Sequence, residues 1–111
     1  MWQVRVAGLL GASSIGAGAA GAHALAHVDD EFRAIWRTAV SYQQVHALAL
    51  LATPLAPARA RGPAGALFVA GAALFCGSNY AVAWHQDRSF GKLAPYGGTA
   101  FIGGWLALAV L

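Results

Sequence analysis

The stretch TAVSYQQVHALALL, Thr38 to Leu51, joins two halves of unlike chemistry. Its second half is plain hydrocarbon. Its first half sets a phenol, two amides and an imidazole (Tyr42, Gln43, Gln44 and His46) inside an otherwise apolar run. A polar group in hydrocarbon needs a hydrogen-bond partner, so the run predicts a helix lying against other helices. At about 100° per residue, Thr38, Tyr42, His46, Ala49 and Thr53 share a face about 80° wide. Gln43 stands at its margin and Gln44 points elsewhere.

The chain around this stretch is built for lipid. Of 111 residues, 59% are hydrophobic and only 10% are charged, against about a quarter charged in a soluble domain. Seven Lys/Arg face four Asp/Glu, and the surplus is scattered. Nucleic-acid binding would require a clustered basic stripe. The single Cys76 excludes an intrachain disulfide. With no basic neighbour in sequence to activate it, it reads as a small hydrophobe.

Charged segments divide the chain. HVDDEFRAIWR (His27–Arg37), ARARGP (Ala58–Pro63) and HQDRSFGKLAP (His85–Pro95) separate four apolar runs: Val6–Ala26, Thr38–Leu55, Ala64–Trp84 and Tyr96–Leu111. A membrane span takes about 17–25 residues. The first three runs qualify and the fourth falls slightly short. The reading is one all-α membrane domain over 1–111, a four-helix bundle with helices near 3–26, 30–54, 63–85 and 96–111. Asp29, Asp30 and Glu31 suit the positive first turn of the second helix, and Pro54 ends it. Trp2, Trp36, Trp84 and Tyr96 fall where an aromatic belt would lie. A rival reading makes the first run a signal peptide, with Arg5 before it and a small-residue cleavage site at Ala22-His23-Ala24; its glycine pattern favours a packed span. Arg59 and Arg61 sit in a loop without acids, which places both termini on the cytoplasmic side of a membrane read as a bacterial inner membrane.

Small residues let helices approach in lipid. Gly11, Ser14, Gly18, Gly21, Ala22 and Leu25 form one stripe on the first helix. Ala64, Phe68, Gly71, Phe75, Ser78, Val82 and His85 form a four-and-three-spaced seam on the third, and the fourth carries Gly97-Gly98 and Gly103-Gly104. The expected interhelical network is Thr38, Tyr42, Gln43 and His46 bonded to Ser13, Ser14 or bared carbonyls of the first helix, or to Ser78, Asn79 and Tyr80 of the third. The packing glycines are Gly11, Gly18, Gly21, Gly71, Gly97, Gly98 and Gly104. His23, His27 and His85 gather near one membrane face, with the carboxylates Asp29, Asp30, Glu31 and Asp87, as a speculative metal or ligand group. No metal-site spacing supports it. No Ser/His/Asp arrangement stands out.

Four ordered segments carry a family resemblance: GAGAAGAHAL (16–25), WRTAVSYQQVHALALL (36–51), LFVAGAALFCGSNY (67–80) and APYGGTAFIGGWLALA (94–109). Together they resemble the YgdD-like family, domain of unknown function 423, which includes transmembrane protein 256. In that family's usual motifs Phe stands at Ala20, Ser at Cys76, Leu at Asn79 and Thr-Pro-Ile at Ala94-Pro95-Tyr96. The signature maps onto His23, Trp36, Thr38, Tyr42, Gln43, His46, Gly77, Ser78, Tyr80, Pro95, Gly97, Gly98 and Trp105. The resemblance implies a small integral membrane protein of four helices and no particular activity.

The residues thus point away from an enzyme and from any resident cofactor. The expected role is a structural or accessory membrane subunit, docking on a larger complex (a respiratory one among the candidates) or on itself, with lipid and protein as partners and no nucleic acid. The alternatives are a small-solute or proton conduit lined by Tyr42, Gln43, His46 and Asn79, and haem or metal binding.

Overall fold

A computed structural model describes residues Met1 to Leu111. The chain is all-α, with four helical rods and no strand. We label them α1 (Trp2–Ala24), α2 (Asp30–Ala52), α3 (Ala58–His85) and α4 (Ala94–Val110). A 3₁₀ turn, Thr53–Leu55, closes α2 around Pro54. Another, Arg88–Leu93, runs directly into α4. α3 has 28 residues, about 42 Å at 1.5 Å per residue, and nearly fills the 46 Å long axis of the molecule.

Chain order is also packing order: α1 lies along α2, α2 along α3, and α3 along α4. Only 26 of the 111 residues are buried, so large apolar side chains such as Leu9, Ile15, Leu48, Ile102 and Leu106 face outward. That exposure suits a lipid surround far better than water.

Several sequence expectations change. The ARARGP segment is not a loop but the opening of α3. Pro63 lies inside that helix, where it cannot donate to the carbonyl of the preceding turn, and Arg61 Nε donates to the Ala56 carbonyl at 2.7 Å to fasten the helix start. The fourth span is not short, because the 3₁₀ turn extends it to Arg88–Val110, 23 residues. By length and composition only Ala58–His85 and Arg88–Val110 are apolar enough to cross a membrane; α1 and α2 fall below that measure. Glycines and serines dilute α1, and charged and amide residues dilute α2.

The α3–α4 interface shows what the glycines do. The helices run antiparallel, and aromatic rings on each fill spaces left by glycine on the other. Phe68 of α3 covers Gly104, where a Cβ would fall 2.6 Å from its Cε1. Phe101 of α4 covers Gly71 in the same manner, and Gly97 lies against the backbone of Phe75. The pairs 68–104, 71–101 and 75–97 keep three- and four-residue spacing along both helices, so each ring drops into the next groove. Gly21 of α1 likewise makes room for the indole of Trp36, and Gly18 and Gly98 make ordinary contacts with Val40 and Phe75. Gly11 is the exception. A Cβ there would meet no atom within 4 Å, so its place on the α1 stripe is not a helix contact.

One feature has no sequence signature. Residues Ala72–Cys76 of α3 form a π-helical turn, closed by the Gly77 N–H reaching back to the Ala72 carbonyl. Such wide turns re-aim the helix face that follows. Here the turn pushes the Phe75 backbone onto Gly97 and buries Cys76 in the core with Phe68, Ala72 and Phe101. At the far end Gln86 takes a left-handed conformation, φ 53°, to end α3. The Ser89 N–H donates to Asp87 Oδ1 at 2.9 Å, which holds that carboxyl below its ordinary range.

These contacts separate two glycine substitutions. Gly97→Ala puts a methyl into the Phe75 backbone and is expected to cost about 1–3 kcal/mol. Gly11→Ala meets open space, and alanine's helix propensity should make it neutral or stabilising by about 0.5–1 kcal/mol. Unfolding in mixed micelles with increasing SDS measures both.

Candidate functional site

The polar groups of α2 collect at two points. The first is Gln43, buried against α1. Its amide nitrogen donates to the Leu10 carbonyl at 2.8 Å and to Ser13 Oγ at 2.7 Å. Its amide oxygen accepts from the Tyr80 hydroxyl of α3 at 2.6 Å. A carbonyl can only accept, so the Leu10 contact fixes which end of the amide is nitrogen and leaves the oxygen for Tyr80. One side chain therefore bonds three helices.

The second point is His46, buried one turn further along α2. Its Nδ1 lies 2.7 Å from the carbonyl of Tyr42 on its own helix, and the Trp105 indole Nε1–H of α4 donates to its Nε2 at 3.0 Å. A carbonyl only accepts and an indole only donates. The two contacts together require the neutral tautomer with the proton on Nδ1. The ring stacks on Phe101, centroids 3.6 Å apart and planes 14° apart, with Phe68 and Trp105 at its edges. Neither ring nitrogen is left to meet a ligand.

A third link lies nearer the α1–α2 turn. Trp36 Nε1 donates to the Ala17 carbonyl at 2.7 Å, with its ring over Gly21 and 4.7 Å from that of Tyr80. It is buried, not a member of an interfacial belt, whereas Trp2, Trp84 and Tyr96 are exposed.

The expected site residues are thus redistributed. Gln43, read as marginal, is the hub. Tyr42 is half-exposed and supplies its backbone carbonyl to His46, while its ring leans on Phe75. Thr38 is exposed; with Asn79 it lines a shallow hollow and makes no bond to the network. Ser78 is buried beside the network but outside it, and Tyr80 is inside it. Ser13, not Ser14, meets Gln43; Ser14 bonds back to Gly11 of its own helix at 2.7 Å. His23, His27 and His85 are exposed, and His85 stacks on Phe90. They do not assemble into a group of three metal-ligating side chains; α1 ends at Ala24, so His27 lies beyond it and the helical i, i+4 spacing from His23 does not hold. Trp36 and Trp105 were missed as network members. The available signal was that an indole N–H in an apolar surround needs an acceptor.

Two measurements check this geometry. The ¹⁵N shifts of His46 are expected to show a protonated Nδ1 and a bare Nε2. Trp105→Phe removes the only donor to Nε2 and is expected to cost about 0.6–1.7 kcal/mol of unfolding free energy, read by the same SDS titration.

Comparison with known proteins fits this architecture. A family model described as protein of unknown function (DUF423) matches residues 17–98, the span that holds Trp36, Gln43, His46 and Tyr80. A UPF0382 membrane protein of Bacillus subtilis is 38% identical over 103 residues, 87% of this chain and 84% of its own. One of Staphylococcus haemolyticus is 38% identical over 101 residues, covering 87% and 83%. One of Schizosaccharomyces pombe is 34% identical over 118 aligned positions, covering 99% and 98%. No solved structure matches. Four packed helices with an apolar exterior, relatives named as membrane proteins and a family model over most of the chain agree: this chain belongs to the DUF423 family and is a membrane protein.

Proposed function

We propose that this protein is a non-enzymatic accessory subunit of a membrane assembly, a scaffold whose rigid helices dock on a larger complex or on copies of itself. The observation that carries the reading is the saturation of its inner polar groups. Gln43, His46, Tyr80, Trp36 and Trp105 all spend their polar atoms on each other, on Ser13 or on backbone. Catalysis and proton relay both need a group free to exchange partners. Here the polar interior holds helices together, while the exterior of α1 and α4 offers long apolar faces with Leu9, Ile15, Ile102 and Leu106 outermost.

The conduit reading calls for Tyr42, Gln43, His46 and Asn79 along one path. Gln43 turns toward α1 and His46 toward α4, and Asn79 opens on an outer hollow. A conduit would also have to break the Trp105–His46 bond at each passage. Haem ligation would require an open imidazole nitrogen at position 46.

Extraction of the native protein in mild detergent tests the proposal. The expected result is co-migration with a defined protein partner, or a discrete homo-oligomer, on size exclusion and native gels. A lone monomer that retains no protein under the mildest extraction would contradict it. Flux across reconstituted vesicles that falls when His46 is replaced by Ala would favour the conduit instead.

A further inference from the structure

The seam between α1 and α2 is not closed on its outer side. Near the α1–α2 turn it opens into a hollow of about 320 Å³ lined by Gly18, Gly21, Arg33, Trp36, Arg37 and Ser41. Further along the same seam lies a second, almost wholly apolar hollow of about 480 Å³, with Gly8, Gly11, Ile15, Ala47 and Leu48 on its walls. At about 100° per residue, Arg33, Arg37, Ser41, Gln44, Leu48 and Leu51 share one face of α2, and Leu25, Ala22, Gly18, Ile15, Gly11 and Val4 share one face of α1. The two hollows therefore form one groove, cationic at its mouth and apolar along its length.

We propose that this groove binds an anionic phospholipid, with its phosphate at Arg33 and Arg37 and one acyl chain lying over Gly18 and Gly11. The charge at the mouth is available. Arg37 has no carboxylate partner, and the bond from Arg33 to Asp30, 3.2 Å long, is to a carboxylate that is 96% exposed. Glu31 is engaged by Arg88. Two guanidinium groups one helical turn apart, with the Ser41 hydroxyl below them, match the oxygens of a phosphodiester. Basic pockets between membrane helices hold anionic headgroups on this principle.

The floor supports the same occupant. Gly8 and Gly11 would meet no atom within 4 Å if given a Cβ, and Gly18 would make only an ordinary contact with Val40. Their bareness does not serve the fold, and glycine weakens a helix. It leaves a trough wide enough for a methylene chain. Half of a hydrocarbon core of about 30 Å corresponds to about ten residues of α2. Measured from Arg37, that depth reaches Ala47, inside the apolar hollow. A second copy of the protein is the rival occupant. It would use the Gln44 amide, which is exposed on the groove wall and has no hydrogen bond within the chain.

Native mass spectrometry of the detergent-solubilised protein, titrated with phosphatidylglycerol or phosphatidylcholine of identical chains, distinguishes these occupants. The expected result is a one-to-one phosphatidylglycerol adduct formed at least about fivefold more tightly than the phosphatidylcholine adduct, from about one arginine's worth of headgroup attraction. Arg37→Gln should weaken phosphatidylglycerol more than phosphatidylcholine and so remove that preference, Arg37→Lys should keep it, and Gly18→Leu should weaken both lipids alike by filling the trough. Arg59→Gln, on the opposite side of the molecule, should change nothing. Equal binding of the two lipids would overturn the proposal, as would an inert Arg37→Gln. Full displacement of phosphatidylglycerol by millimolar inorganic phosphate would assign the site to a free anion. A dimer abolished by Gly18→Leu, with no lipid adduct, would assign the groove to a second copy.

Discussion

A side-chain amide carries two N–H donors and an acceptor oxygen, and hydrocarbon offers a partner to none of them. Gln43 meets this demand with the backbone and a serine of α1 on one side and a tyrosine of α3 on the other. Rotation of α2 about its axis, or translation by one turn, would strand the amide at a cost of about 1–3 kcal/mol. The bond energies themselves are small in membranes, about 0.6 kcal/mol on average. What Gln43 supplies is register: it fixes which residues of α1, α2 and α3 lie at one depth, and the remaining contacts follow from that setting.

With α2 held there, Trp36 falls over Gly21 and reaches the Ala17 carbonyl, and His46 falls between Phe68 and Phe101 where the Trp105 indole can reach it. The aromatic–glycine exchange between α3 and α4 then completes the packing. Polar bonds select the alignment and close van der Waals contact fills it. Lipid removes the hydrophobic drive between helices, so these two terms are what remains to hold them.

The sequence made the fold class legible because its charged segments and apolar runs are sharply divided. It made the α2 face legible only in part. A helical wheel centred on Thr38, Tyr42 and His46 groups residues by angle, but angle does not say where the neighbours stand. With α1 on one flank and α3 and α4 on the other, the inward arc runs instead through Trp36, Ala39, Gln43, His46 and Leu50, which leaves Thr38 outside. Gly11 and Gly97 show the same limit from another direction. Both belong to small-residue patterns, yet one faces open space and the other a backbone. The π turn at Ala72–Cys76 has no proline or polar insertion to announce it, and it is visible only in the structure, where it sets the Phe75 backbone against Gly97.

The central claim is that the Gln43 amide couples α2 to α3 through Tyr80. The most direct test is a double-mutant cycle of Gln43→Ala and Tyr80→Phe, with unfolding free energies measured in mixed micelles. A coupling energy of about 0.6–1.7 kcal/mol, lost in either single variant and not lost twice in the double, is the result this structure predicts. Strictly additive effects of the two substitutions would contradict it.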